Sequence, residues 1–85
     1  MTELDPNLIK IGKQIRKLRE AKGHSQEEFA ALAKLGRTYY GRVERGEQNI
    51  SIQNLLCIAF ALHVEVGELI PTLRNLKKPS KKDTH

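Results

Sequence analysis

Tryptophan is absent from this 85-residue chain, cysteine and methionine each occur once, and proline only three times. A single thiol excludes an internal disulfide framework, and one Cys with three scattered His offers no metal-ligand spacing. Neither His24 nor His63 has a nucleophile or carboxylate arrangement suited to catalysis, so no enzyme class is indicated. No apolar run approaches the roughly 18 residues that span a bilayer, and the acidic start, Met1-Thr-Glu-Leu-Asp-Pro6, lacks the basic and apolar regions of a signal peptide. What remains is one small domain with a cytoplasmic setting, no metal and no cofactor.

Fifteen Lys and Arg outweigh ten Asp and Glu, for a net charge of +5. The excess is uneven: residues 1–9 carry −2, residues 10–45 carry +6, residues 46–73 carry −3 without a single Lys or Arg, and residues 74–85 carry +4. Cations concentrated on part of a small domain suit a polyanion, and nucleic acid is the commonest such partner.

Apolar spacing predicts helices and no strands. Asp5-Pro6 supplies a cap and a first helical position, followed by Leu8, Ile11, Ile15 and Leu18 at helical intervals up to a stop at Gly23. The other faces of this helix carry Lys10, Lys13, Arg16, Lys17 and Lys22, equally suited to solvent and to phosphate. Ser25 and Glu28 form a capping-box pattern for a short second helix to about Lys34. A third runs from Arg37 to Arg45, closed by Gly46. Ser51 caps a fourth, Ile52 to Leu62, and Val66 to Ile70 forms a fifth, ended by Pro71. The expected organisation is a lead over 1–6, a domain over 7–73, and a basic flexible tail over 74–85.

At about 100° per residue the third helix divides into two faces. Arg37, Thr38, Gly41, Arg42 and Arg45 share one that is short, cationic and capable of hydrogen bonding. Its glycine permits close approach of a backbone. Tyr39, Tyr40, Val43 and Glu44 share the other. Arg presents a planar fork matched to guanine O6 and N7, and Thr offers a hydroxyl and a methyl, so this face has the chemistry of a major-groove reader. A capped short helix, a tight turn and such a two-faced helix within about 20 residues have the layout of a helix-turn-helix.

With these segments in view, the sequence resembles the lambda-repressor and Cro-like (Xre-type) regulators. The resemblance runs from about Ile11 to Ile70 and rests on Ile15-Arg-Lys-Leu-Arg-Glu-Ala-Lys-Gly23, Ser25-Gln-Glu-Glu-Phe-Ala30, Arg37-Thr-Tyr39, Val43-Glu-Arg-Gly46 and Asn49-Ile-Ser-Ile52. The short length and the Arg-Thr-Tyr and Asn-Ile-Ser segments are most similar to restriction-modification controller proteins. This resemblance implies an all-α, compact five-helix fold with the third helix in the DNA major groove. It places base reading on Arg37, Thr38 and Arg42. Gln26 grips phosphate and buttresses the reading helix, with Lys34, Tyr39, Arg45 and Asn49 as further backbone contacts, although Tyr39 equally suits the core. Arg19 is the implied structural partner of the inward Glu44, since an isolated buried carboxylate is costly. Lys34 stands where the family's turn usually has Gly, which predicts a positive φ there, and His63 replaces the glycine after the fourth helix.

The fourth helix is apolar beyond what its own domain requires. Ile52, Leu55, Leu56, Ala59 and Leu62 form the stripe expected to face the core, yet Cys57, Ile58, Phe60 and Ala61 are apolar too. With Leu69, Ile70 and Leu73 they make a candidate two-fold interface between copies, unless the tail or the first helix covers them. The expected molecule is a homodimer bound to an inverted repeat in double-stranded DNA, without a small-molecule effector. The alternative is an antitoxin-like module whose apolar face binds another protein.

Overall fold

The structure, a computed structural model, describes residues 4–79. Four α-helices, α1 (Pro6–Ala21), α2 (Gln26–Leu32), α3 (Arg37–Glu44) and α4 (Ile52–Leu62), are followed by a fifth helix, Val66–Leu69. The fifth is a 3₁₀ turn and stops one residue earlier than its spacing predicts, because Pro71 follows closely and only one turn fits between Glu65 and Ile70. A second 3₁₀ turn covers Leu73–Asn75.

Local chemistry sets the helix ends. The Asp5 carboxylate accepts from the Asn7 and Leu8 amides with Pro6 in the first turn. Both halves of the Ser25 capping box are formed: Ser25 Oγ accepts from the Glu28 amide at 3.1 Å, and Glu28 Oε1 accepts from the Ser25 amide at 2.9 Å. Donation from the Ser25 backbone amide, and then from the Ser25 side chain, holds the Glu28 carboxyl below its ordinary range. After α2 the chain reverses through Lys34, whose φ is +59°, and α4 ends on His63, also at +59°. Both are positions where glycine carries no steric cost.

The core gathers Ile15 from α1, Phe29, Ala30 and Ala33 around α2, Tyr40 and Val43 from α3, and Leu55, Ile58, Ala59 and Leu62 from α4, closed by Leu69. Two interface expectations fail here: Ile58 and Leu69 are both 0% exposed. The α4 stripe that faces the core is Leu55, Ile58, Ala59 and Leu62, rotated from the expected one, so Ile52 and Leu56 turn outward instead. Phe60, at 77% exposure, and Leu73, at 85%, remain open, Ile70 is exposed, and Cys57 and Ala61 are half-buried.

Helices α1 and α3 approach at Gly12, where a β-carbon would lie 2.5 Å from the carbonyl oxygens of Val43 and Glu44. Residues 74–79, assigned from composition to a flexible tail, return to α1. Asn7 donates from Nδ2 to the Lys77 carbonyl at 2.6 Å and accepts from the Lys77 amide at 2.7 Å, while Lys10 Nζ donates to the Asn75 carbonyl. Composition shows only a polar stretch, whereas these bonds use backbone groups that every sequence carries. The rest of that expected tail, like the first three residues, lies outside the described residues.

Candidate nucleic-acid interface

The interface is built on α3, and the position of α3 is set from beneath. Glu44, on its inward face, is 6% exposed and receives four hydrogen bonds. Arg19 of α1 donates from Nε to Oε2 at 2.6 Å and from NH2 to Oε1 at 3.1 Å. Gln26 of α2 donates from Nε2 to Oε1 at 3.0 Å, and the Tyr40 hydroxyl donates to Oε2. One carboxylate therefore joins α1, α2 and α3. Burial opposes its ionisation, but the bonds from Arg19, Tyr40 and Gln26 together hold its carboxyl below the usual range. Arg19 is correspondingly raised by its bond to Glu44, and burial followed by the Glu44 bond pushes the Tyr40 phenol up. Arg19 NH1 also donates to the His24 carbonyl at 2.7 Å, which fixes the loop before α2.

Above this support, Arg37, Thr38, Arg42 and Arg45 are exposed. Arg42 forms no ion pair among the described residues. Arg37 NH1 lies 2.7 Å from Glu27 Oε2 at the start of α2, and Arg45 contacts Glu47 through Nε at 3.1 Å and NH2 at 3.2 Å. The second pair raises Arg45 and lowers Glu47, chiefly through the hydrogen bonds between them. Lys34 and Asn49 are exposed on either side of α3 in the chain, while Gln26 is half-buried beside Glu44. Tyr39 packs against the core and its hydroxyl accepts from Asn54 Nδ2 at 3.0 Å, so ring and hydroxyl both have internal partners.

Gly41 departs from the expected open face. It is buried, and a β-carbon would meet Arg45 NH1 at 3.1 Å and Gln26 Oε1 at 3.4 Å. The room left by the missing side chain is taken by this protein's own Arg45 and Gln26. Sequence reasoning also missed the Tyr40 hydroxyl as a donor to Glu44, although an inward Tyr four residues before an inward Glu is a usable signal. It missed Glu27 and Glu47 as arginine partners, for which spacing gives no comparable signal. Among the described residues no group of His, Cys, Asp and Glu could hold a metal, and no single helix is long and apolar enough to cross a membrane.

A helix fixed from below, exposing Arg and Thr after a tight turn, invites comparison with known proteins. The family model described as Helix-turn-helix matches residues 15–69. The chain belongs to the helix-turn-helix family. Control protein C.MunI of a Mycoplasma species is 44% identical over 62 residues, which cover 72% of this chain and 84% of that one. The crystal structure of the restriction-modification controller protein C.AhdI from Aeromonas hydrophila superposes with a TM-score of 0.73 at 51% identity, covering 74% of this chain and 96% of that one. SinR, a master regulator for biofilm formation solved in complex with DNA, gives a TM-score of 0.67 at 38% identity, covering 69% of this chain and 95% of that one. This member of the helix-turn-helix family is thus a DNA-binding regulator of the controller type, in a family of transcription regulators and not of enzymes.

Proposed function

We propose that the protein regulates transcription in the cytoplasm by occupying an inverted-repeat operator as a homodimer, with α3 of each copy in the major groove. The observation that carries this is the exposed row of Arg37, Thr38 and Arg42 on a helix whose inward carboxylate is held by three other side chains. Arg37 and Arg42 would donate to guanine edges and Thr38 to a base or phosphate, while Gln26, Lys34, Asn49 and Arg45 supply backbone contacts. Tyr39 joins these contacts through its O–H, since its hydroxyl accepts from Asn54 and keeps its own proton to donate to a phosphate. The relatives named as control proteins support restriction-modification genes as the target.

The exposed apolar surface supports pairing. Phe60, Ile70 and Leu73 face outward beside half-buried Cys57 and Ala61, with Leu56 and Ile52 added by the rotation of α4. A monomer gains nothing by leaving these in water, and residues 46–73 bring no cation to oppose a second copy. A two-fold pair would set its reading helices about 34 Å apart, one DNA turn.

Selection of duplexes from a random pool at about 150 mM salt, where non-specific attraction is suppressed, tests the reading. An enriched inverted repeat that relaxes at particular base pairs with Arg37→Ala and at others with Arg42→Ala is the expected result. No enrichment, with all three proteins equally weak, overturns it in favour of a protein-interaction module.

A further inference from the structure

Arg37 is held by one corner only. Its NH1 donates to Glu27 Oε2 at 2.7 Å, and no partner for its Nε or NH2 is found among the described residues. Nε and NH2 form one straight edge of the guanidinium, with two parallel N–H groups that match a pair of acceptors such as guanine O6 and N7. Arg45 contrasts with it, because Glu47 occupies that same edge, at 3.1 and 3.2 Å. Arg19 likewise uses this edge on Glu44. Of these three carboxylate-paired arginines, Arg37 alone keeps its bidentate edge open.

Glu27 is placed to hold that orientation. It lies in the first turn of α2, a helix whose start is fixed by both halves of the Ser25 capping box and where negative charge is favoured by the helix dipole. Its neighbour Gln26 is tied to Glu44. Both Arg37 and Glu27 are about two-thirds exposed, so the pair contributes little to folding. Its effect lies instead in what the arginine does. A free Arg side chain samples many rotamers and reaches any nearby phosphate, whereas one pinned at NH1 spends less entropy when its open edge meets a base.

We propose that Glu27 is a positioning residue for base recognition: it steers the open edge of Arg37 toward the DNA bases and, by its negative charge, disfavours docking of this end of α3 on arbitrary phosphates. This rests on the base-reading role proposed for Arg37. The pair stays intact in the specific complex, because Arg37 donates to Glu27 and to the base from different atoms. Removing the carboxylate therefore weakens discrimination without removing the reader.

Glu27→Gln, close in shape and uncharged, is compared with wild type, with Arg37→Ala and with the double variant on the selected duplex and on random duplex. Glu20→Gln serves as the charge control: Glu20 accepts from exposed Arg16 at 3.1 Å on α1, and because its Oε2 also lies 3.8 Å from Arg19 NH2, an unchanged melting temperature first establishes that the Glu44 support is kept. The expected result is a fall of about fivefold in the ratio of selected to random affinity for Glu27→Gln, the size of one side chain's ordering cost. That loss falls at the base pairs that Arg37→Ala relaxes, and no further loss appears in the double variant. A Glu20→Gln protein that loses as much discrimination, an unchanged ratio in Glu27→Gln, or losses that add in the double variant would each overturn the proposal. Wild type that selects no duplex removes the base-reading role itself; selection by wild type with an unchanged Glu27→Gln removes only the inference.

Discussion

The Arg19 guanidinium lies edge-on to the Glu44 carboxylate, with both residues 6% exposed and two hydrogen bonds of 2.6 and 3.1 Å joining α1 to α3 across 25 positions of sequence. Removing one partner of such a buried pair leaves the other charged and uncompensated, which typically costs about 3 kcal/mol or more. Glu44→Ala also strands the Tyr40 hydroxyl and Gln26. The variant is expected to melt well below wild type and to bind DNA more weakly, because α3 loses its tie to α1 and α2. Thermal unfolding checks this, and an unchanged melting temperature would show that the network is not structural.

The same carboxylate gives the stability profile an acid limb. Its folded-state pKa lies below the ordinary 4.5, so its contribution is complete above that value and is lost as pH falls through the folded value. Denaturant midpoints measured down the acid range should fall more steeply below about pH 4.5 in wild type than in Glu44→Gln. At the alkaline end Tyr40, raised by burial, contributes stability below its unfolded value near 10 that is lost as pH climbs through the folded one. Its phenolate absorbance is therefore expected to appear together with unfolding.

Gly12 is the place where α1 and α3 tolerate nothing larger than hydrogen. In Gly12→Ala the new carbon would stand 2.5 Å from two backbone carbonyl oxygens, and backbone has to move to admit it. A loss of about 2 kcal/mol or more is expected despite the better helix propensity of alanine. Gly67→Ala, with nothing within 4 Å of its added carbon, is the matched control and should change the melting temperature little.

Phe60→Lys tests the outward face of α4. At 77% exposure the ring has little to lose in the monomer, so the fold should persist with a near-normal melting temperature at low concentration. Sedimentation is expected to show a dimer for wild type and a monomer for the variant, whose affinity for an inverted repeat falls while its affinity for a half-site is kept. A variant that sediments like wild type would place the interface elsewhere.

Much of this was legible because the signals are local. Asp5-Pro6, the Ser25 and Glu28 pair and Ser51 fix helix starts through bonds spanning two or three residues, and the bounds of α4 follow from its cap and pattern alone. The positive φ at Lys34 follows from the family resemblance, since Lys34 stands where that family's turn usually has Gly. Tertiary placement was less accessible. An almost uniformly apolar α4 has no polar side to orient it, so the expected inward face lies about half a residue's rotation from the observed one, which buries Ile58. Gly41 seemed open because its angle matches the cationic face, yet Arg45 and Gln26 close over it. Gly12 carries a readable sign of a close helix approach, a glycine on the same side of α1 as Ile15 and Arg19.

The clasp between Asn7 and Lys77 joins positions 70 residues apart. Its two bonds copy the pairing of adjacent strands, but with a side-chain amide standing in for one of them. The described chain thus begins and finishes at a single corner beside the first turn of α1. A short linker joining residues 4 and 79 across that corner would suffice to make a circular permutant of the described domain, whose new ends open in a surface loop.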